Sequence, residues 1–518
     1  MRIDLTKLNI IFIILVPIVA NHYYGSIGVF PIDTFAFFDS SNLINKGFLP
    51  IRDYWTSNGF LIDLIQSIFF KIFGVNWQIY LLHSSIVNFL FTFFTYKFLI
   101  SEGLNHKYSL LYSLCAGILA YPSSGVPFPD HHSIIFSIIA IYFFVFSIRK
   151  GSKFYLFWTI AFLYLAFLSK QVPAAFFIIL VTLYLITISL KSKNYKFIIF
   201  AIVFSFLLIS ILFLFLFIFQ IGLKNFFIQY ISFPMTIGAE RSSGINFYFL
   251  FKSLINEFKF FSIFIIIIFY QFLKGKEKQE VISIKLLMIF LSFISIINQE
   301  MMKNQNIIFF ILPILAGIIH LDFENLKERK YLIPILLIIF LNIFITIKYH
   351  ERFNVNRKFM DIERVDKNNF INGELFSDKL KGLKWITNDF QLKPEEELNL
   401  ILESIKYLKK NKENSMIITY YQFINSEIDH NIYSPNRWYT SDGVSYPSKT
   451  NRYYETYSAF YKQKLMDRKI KKIYTIKPLD EKTFKFMLKS NCLSSLRINK
   501  ILFQHDITNC FAKKNINL

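Results

Sequence analysis

Cysteine is scarce in this chain, and two other features are missing. The 518 residues include three cysteines, Cys115, Cys492 and Cys510, too few for a disulfide-rich scaffold. No cleavage site for a signal peptide follows the first apolar run, so we predict that this run remains as an uncleaved membrane span. A glycine-rich phosphate loop is also absent, so the sequence predicts no nucleotide site.

Apolar residues are abundant. They make up 54% of the chain, 64 of them are phenylalanine, and the mean hydropathy is +0.42. A soluble protein could not hide that much apolar surface from water. Apolar runs close to the roughly 20 residues that cross a bilayer predict about eleven transmembrane helices, near residues 8–23, 78–100, 108–122, 132–148, 154–169, 173–190, 197–219, 254–273, 281–297, 307–321 and 331–348. No internal repeat is evident, which disfavours a transporter built from inverted repeats.

The positive charge follows the alternation of the loops. The net charge is +22, which in a soluble protein would suggest nucleic acid as a partner. Here the basic residues fall in short loops on one side, at Lys107, 149–153, 191–196, 274–278 and 327–330. The positive-inside rule assigns that side to the cytoplasm, together with the N-terminus. The excess charge therefore predicts membrane orientation and no nucleic-acid partner.

The composition changes after about residue 348. The segment 349–518 is richer in Lys, Glu, Asn and Asp and has no further spanning run, so we predict a small α/β domain there, following a transmembrane domain at 1–348. Helical periodicity marks Pro394–Asn411, and short β-branched and aromatic runs mark strands at Ser415–Phe423, Lys472–Lys477 and Ile501–His505. Eleven spans and a cytoplasmic N-terminus would place this domain outside the cell.

The first outer loop, residues 24–77, is too long for a simple turn and too aromatic to be disordered. Apolar stripes at 36–47 and 60–72 predict two juxtamembrane helices that lie along the membrane surface. Asp39 and Asp63 are predicted on the solvated faces of these helices. Asp33 precedes the first helix.

These features together resemble a known superfamily. The motifs are FPIDTFAFF after the first span, then the segment Gly47–Asp53 (GFLPIRD), then Phe73-Gly74 before the second span, and PFPDHHS in the next outer loop. In this respect the chain resembles the GT-C membrane glycosyltransferases, of the protein-mannosyltransferase and aminoarabinose-transferase type, which use polyprenyl-phosphate sugars. The match covers about the first 170 residues. Asp33-Thr34 and Asn58-Gly59 depart from the family pattern.

The resemblance implies roles for two acidic residues. Asp33 would be the general base that withdraws a proton from the acceptor hydroxyl. The residues alone favour a helix N-cap, and the two roles can coexist. Asp130 would orient the acceptor or assist Asp33, or could bind a divalent cation with His131 and His132. Adjacent residues rarely converge on one metal, so we predict no metal site and no required cofactor. Alternatively, Asp130, His131 and His132 have no role in the chemistry and belong to a polar loop at the membrane interface.

Cationic residues in or near the membrane predict a phosphate site. Lys170 interrupts an apolar region, where ionisable groups are costly and usually face a cavity, although it could instead snorkel to the headgroups. Arg241 could hold the same phosphate with two hydrogen bonds, or could pair with Glu240. Arg52 could bind the lipid phosphate too, or pair with Asp53 in a structural turn. Asp53 is in addition the reserve candidate for the base and a possible acceptor- or metal-binding residue.

Three further features are weaker signals. Lys303 is a third candidate for the phosphate, or a solvated loop lysine. Trp438 lies in an aromatic tract that could stack on a sugar acceptor or pack its own domain. Cys492 and Cys510 lie on the predicted oxidising side, which would permit a disulfide.

The sequence thus predicts a mainly α, polytopic glycosyltransferase of a bacterial inner membrane. It would move a sugar from a polyprenyl-phosphate carrier to a glycan, lipid or protein hydroxyl on the outer face. A polysaccharide polymerase or ligase is one alternative, although its main outer loop would be expected late in the chain. A transporter or flippase for lipid-linked sugars is the other.

Overall fold

The computed structural model of this protein describes residues 5–120, 124–274, 283–302, 308–325, 331–362, 365–428, 430, 432–440, 443–477 and 494–508. It is mainly helical. The α-helices within these residues are α1 (Leu5–Gly25), α2 (Pro31–Thr34), α3 (Ala36–Asn45), α4 (Phe60–Phe73), α5 (Trp77–Ser101), α6 (His106–Leu119), α7 (Pro129–Lys150), α8 (Lys153–Ser169), α9 (Gln171–Ser192), α10 (Lys196–Ile218), α11 (Leu223–Phe226), α12 (Phe233–Ser242), α13 (Phe247–Asn256), α14 (Lys259–Lys274), α15 (Ile284–Met302), α16 (Leu312–Asn325), α17 (Leu332–His350), α18 (Pro394–Lys410) and α19 (Tyr454–Asp467).

Eight helical segments among the described residues are long and apolar enough to cross a membrane, so the chain is a multi-pass membrane protein. They are Leu8–Gly25, Trp77–Ser101, Pro129–Lys150, Gln171–Ser192, Lys196–Ile218, Ile284–Met302, Ile308–Asn325 and Leu332–Val355. Each coincides with a predicted span. The predicted number of eleven is not confirmed.

The other three predicted spans are shorter or bent. The helix α6 has 14 residues and α8 has 17, which at 1.5 Å per residue gives about 21 and 25 Å, against a hydrocarbon core of about 30 Å. The helices α13 and α14 meet at an angle of 98° and together are apolar enough for one broken span. Length therefore separates α6 and α8 from the eight, and the bend separates the α13–α14 pair.

The helix α7 shows how the sequence sets the ends of a span. Pro129 occupies its first turn, where the missing N–H has no helical partner to lose. The helix ends at Gly151, whose left-handed conformation (φ 58°) favours glycine, and Arg149 and Lys150 lie in its last turn. Cations there complement the helix dipole. Of its most apolar 18-residue window, 89% is buried, so α7 is a central helix of its unit.

The chain divides into two compact units. The first unit comprises Met1–Tyr24, Ser84–Phe215 and Glu240–Phe359, and the second comprises Gly25–His83, Leu216–Ala239 and Met360–Leu518. The second unit thus includes both the first loop and the C-terminal segment. The predicted division into domains at residue 348 stays a prediction.

The second unit contains a mixed five-stranded sheet. Its strands are β3 (Ser415–Thr419), β4 (Ile432–Tyr433), β5 (Lys472–Ile476), β6 (Ser494–Arg497) and β7 (Leu502–Asp506), in the order β4-β3-β5-β7-β6, and a separate antiparallel pair is formed by β1 (Ile371–Asn372) and β2 (Lys384–Trp385). The strand β3 is parallel to β4 and β5, whereas β7 is antiparallel to β5 and β6. The predicted small α/β region at the C-terminus is present. The strand predicted from Ser415 ends at Thr419, before a short 3₁₀ turn at Gln422–Ser426.

The core of the second unit draws on distant parts of the sequence. Trp55 from the first loop and Phe233 from α12 are buried with the sheet residues Met416, Ile418 and Ile473. The Trp55 ring meets that of Phe233 edge-on, with 5.8 Å between the centroids. Aromatic pairs of this kind add to the free energy gained from burial. The first loop is therefore part of the folded core of its unit.

Candidate functional site

Asp130 and Lys170 form an ion pair in the first unit. The Lys170 Nζ lies 2.7 Å from Oδ1 and 2.8 Å from Oδ2 of Asp130. The exposed fractions of the two side chains are 12% for the lysine and 8% for the aspartate. Two candidate residues that were predicted separately from the sequence are thus in direct contact.

The local sequence explains where both groups lie. Asp130 follows Pro129 in the first turn of α7, where a carboxylate is favoured by the helix dipole. Lys170 lies between α8 and α9 with an extended backbone (φ −160°, ψ 138°). Pro173 disfavours a helical conformation at the residue before it, and Val172 is indeed non-helical (φ −115°, ψ 127°). This break is what separates Lys170 from the helical backbone.

Met302 joins a second cation to the pair. Its sulfur lies 3.0 Å from the Lys170 Nζ and 3.4 Å from the Arg241 Nη1, so the two nitrogens are within about 6.4 Å of each other, the sum of these contacts. A thioether is only a weak hydrogen-bond acceptor. We call Asp130, Lys170, Arg241 and Met302 the cation cluster. Its two cations and single carboxylate leave it with a net positive charge.

His131 and His132 are buried beside the cluster and contact the backbone. The His131 Nε2 lies 3.0 Å from the carbonyl oxygen of Ala120, and the His132 Nδ1 lies 3.1 Å from that of Phe128. Within the described parts of the chain, no three His, Cys, Asp or Glu side chains form a group that could hold a metal ion. The arrangement of these residues gives no support to metal binding at Asp130.

An apolar groove lies in the same unit as the cluster. It has a volume of about 720 Å³ and lies among α9, α14 and α15, with Phe176, Leu183 and Ile297 in its wall and Lys191 at one end. The groove shares α15 with the cluster, because Ile297 precedes Met302 by five positions on that helix, a rise of roughly 7.5 Å. A lipid chain is the kind of molecule that such a surface fits.

Asp33 belongs to the second unit and is partly exposed. It lies in the short helix α2, after Pro31, and its backbone N–H donates to the Phe30 carbonyl oxygen at 3.0 Å. The N-cap of α2 is Phe30 and that of α3 is Phe35, and neither cap has a side-chain hydrogen bond. The alternative role of Asp33 as an N-cap is therefore wrong.

Arg52 and Asp53 do form a pair with each other, as one of the two predictions for them proposed. The Arg52 Nη2 lies 2.7 Å from the Asp53 Oδ2. Two further cations, Arg468 and Lys464, approach the other oxygen of Asp53. All four residues belong to the second unit.

Asp39 and Asp63 were predicted on solvated helix faces, and this prediction is wrong. Asp39 is 2% exposed and Asp63 is fully buried. The Asn425 Nδ2 donates to the Asp39 Oδ2 at 2.8 Å, while Oδ1 has no hydrogen-bond partner among the residues that the structure describes. Burial raises the pKa of Asp39 to about 7. Asp39 is thus a buried carboxyl that ionises with difficulty.

Arg437 is the partner of Asp63. No pattern in the sequence predicted a role for this arginine. Its guanidinium pairs with the Asp63 carboxylate with both side chains fully buried, and the Tyr54 hydroxyl donates to the same carboxylate at 3.2 Å. The guanidinium also lies over the rings of Phe37 and Trp438, at 4.8 and 5.2 Å from their centroids. Burial lowers the pKa of Arg437 to about 10. Trp438 thus packs against an ion pair, and its contact with a sugar stays a prediction.

Three candidates lie outside the described residues, namely Lys303, Cys492 and Cys510. Comparison of the chain with models of known protein families found no match, and neither did comparison with curated protein sequences.

Proposed function

We propose that this protein is an inverting glycosyltransferase that uses a polyprenyl-phosphate sugar as its donor. The sugar would pass to a hydroxyl of a glycan, lipid or protein acceptor at the outer face of a bacterial inner membrane. The proposal includes the finer topology of eleven spans, a cytoplasmic N-terminus and an extracytoplasmic C-terminal segment. It combines the resemblance in the first 170 residues with the chemistry of the cation cluster.

One observation carries the proposal. Lys170 and Arg241 converge on the Met302 sulfur, at the end of α15, and this helix also lines an apolar groove of about 720 Å³. A polyprenyl phosphate has the matching shape and charge, because an anionic head is joined to a long apolar chain. The chain would occupy the groove and the phosphate would replace the weakly bound sulfur between the two cations.

The cation cluster suits the electrostatics of the transfer. As the acceptor oxygen bonds to the anomeric carbon, the bond from that carbon to the phosphate oxygen breaks, and negative charge grows on the departing phosphate. Cations held in place before the reaction stabilise that charge without reorganising. Because Asp130 holds the Lys170 ammonium with both oxygens, it would position the lysine for the phosphate.

Asp33 is the proposed base. It would accept the proton that the acceptor hydroxyl loses as the new bond forms. Its partial exposure allows an acceptor to approach, and it does not serve as a helix cap. Both properties support Asp33 over the buried Asp39.

The direct test supplies purified protein with a panel of radiolabelled polyprenyl-phosphate sugars and candidate acceptors. We expect one donor to lose its sugar to an acceptor, and Asp33→Asn to abolish this transfer while the protein stays monodisperse. Asp378→Asn is the matched control, because this exposed aspartate belongs to the same unit. Full activity of Asp33→Asn would refute its role as the base. Movement of the intact donor across vesicles, without transfer, would favour the flippase alternative.

A further inference from the structure

Three cations surround one carboxylate in the second unit. The Asp53 Oδ2 lies 2.7 Å from the Arg52 Nη2, and its Oδ1 lies 3.3 Å from the Arg468 Nη2 and 4.0 Å from the Lys464 Nζ. The Asp53 Oδ2 also accepts the backbone N–H of Leu49 at 2.8 Å. Asp467 is a second acidic residue whose charge acts on Lys464, so the three cations exceed the two carboxylates by one positive charge. We call Arg52, Lys464 and Arg468 the basic triad.

The two guanidinium groups are held in fixed orientations. Arg52 donates to the carbonyl oxygens of Gly47 at 2.7 Å and Phe219 at 3.1 Å. The Arg468 guanidinium lies over the rings of Phe48 and Tyr433, at 4.2 and 4.3 Å from their centroids. Cation–π contacts of this kind orient a guanidinium. Both groups are thus positioned before any ligand binds.

Lys464 supplies the hydrogen-bonding capacity that the arginines lack. Its ammonium carries three donors, and at 4.0 Å from Asp53 it makes no hydrogen bond to any residue that the structure describes. Burial lowers the pKa of Lys464, which indicates that the ammonium is short of solvation. The exposed fractions of Arg52, Lys464 and Arg468 are 31%, 17% and 25%, so a ligand can reach all three.

The position of Phe219 in the chain gives the depth of the triad in the membrane. Phe219 directly follows α10, whose apolar window has a mean hydropathy of 3.1 and is 0% buried within the protein. Such a helix faces lipid, so its end lies near the headgroups. Phe217 and Phe219 are 80% and 42% exposed, as is common for aromatic side chains at the end of a span. Because Arg52 bonds to the Phe219 carbonyl, we expect the triad to lie near the headgroups.

We propose that Arg52, Lys464 and Arg468 bind the phosphate of an anionic phospholipid headgroup. A lipid phosphate brings the negative charge that the positive excess requires and the acceptor oxygens that Lys464 needs. Its acyl chains would lie along the exposed aromatic end of α10. This assignment is independent of the proposed transferase function, and it gives Arg52 a different ligand from the sugar donor.

The test is native mass spectrometry of the delipidated full chain, titrated with short-chain phosphatidylglycerol. We expect Lys464→Gln to weaken binding about tenfold, which corresponds to the loss of one charge-assisted hydrogen bond. Lys462→Gln is the matched control on the same helix, because residues two positions apart point to different faces. It should bind phosphatidylglycerol as the wild type does.

Two further arms decide the source of the phosphate. Phosphatidylcholine, which has no net charge, should bind at least tenfold more weakly than phosphatidylglycerol, and inorganic phosphate should not displace the anionic lipid. Equal loss of binding in Lys464→Gln and Lys462→Gln would overturn the proposal. So would displacement by inorganic phosphate at the lipid's own concentration, because the site would then recognise a free anion.

Discussion

The ion pair between Asp130 and Lys170 allows structural and chemical roles to be separated in one experiment. Lys170→Met leaves the Asp130 carboxylate, 8% exposed, without its cation. Removing one partner of a buried pair costs roughly 3–5 kcal/mol, and we expect about 3 kcal/mol here because each side chain keeps some exposure. That is a large share of a free energy of unfolding of about 5–15 kcal/mol. Asp130→Asn should lose a similar amount.

The double variant should recover stability without recovering activity. With both charges removed, no ionised group is left stranded, and the free energy of unfolding should return to within about 1 kcal/mol of the wild type. Sugar transfer should stay low, because losing one positioned donor to the growing charge costs about 10²–10³ in rate. The proposed catalytic role thus predicts opposite outcomes for folding and for turnover.

The assays are unfolding in mixed micelles by SDS titration, and sugar release from a short-chain polyprenyl-phosphate donor. Lys153→Met is the control, because it is the same substitution at an exposed lysine of the same unit that does not line the groove. It should leave both quantities within about twofold. Activity of Lys170→Met above a third of the wild type would refute the phosphate role. Additive losses of stability in the double variant would refute the coupling of the pair.

Three further predictions concern the second unit. Asp63→Asn and Arg437→Gln should each destabilise the protein by about 3–5 kcal/mol and the double variant by less than their sum, measured by SDS titration. The pKa of Asp39 is higher in the folded than in the unfolded chain, so its contribution to stability is lost as the pH rises from about 4 to 7. Asp39→Asn should therefore raise the melting temperature at pH 8 and leave it almost unchanged at pH 4. Gly59→Ala should destabilise by roughly 1–3 kcal/mol, because Gly59 has φ +70° and an added Cβ would lie 2.5 Å from the Phe37 ring; a melting temperature equal to the wild type's would contradict this.

The membrane spans could be predicted from the sequence because crossing a bilayer requires a continuous apolar run, which is a property of the local sequence alone. A run of apolar residues of sufficient length is visible without knowing its neighbours. The same reasoning identified Lys170, since an ionisable group in such a run is costly. The same criterion also predicted spans at α6 and at the α13–α14 pair, because a one-dimensional apolar run shows neither where a helix ends nor where it bends.

The buried charges of the second unit could not be predicted in the same way. Helical periodicity shows which face of α3 or α4 is more apolar, but it does not show whether the polar face meets water or another part of the chain. The partners of Asp39 and Asp63 are 386 and 374 positions away, at Asn425 and Arg437. No local pattern encodes such distant contacts. The role of Arg437 therefore appears only in the folded chain.

The helix α10 differs from the other spans in how little of it the rest of the chain covers. Its apolar window is 0% buried, and Leu216 near its end is its one fully enclosed side chain in the described structure. Most of its side chains are therefore expected to contact acyl chains and not other parts of the protein. Such contacts require an apolar side chain but no particular shape. A guest segment of 19 leucines, replacing residues 197–215, would be expected to insert and to leave the fold intact. Substitutions of one apolar residue for another in α10 should therefore be tolerated as long as the helix keeps its high hydropathy.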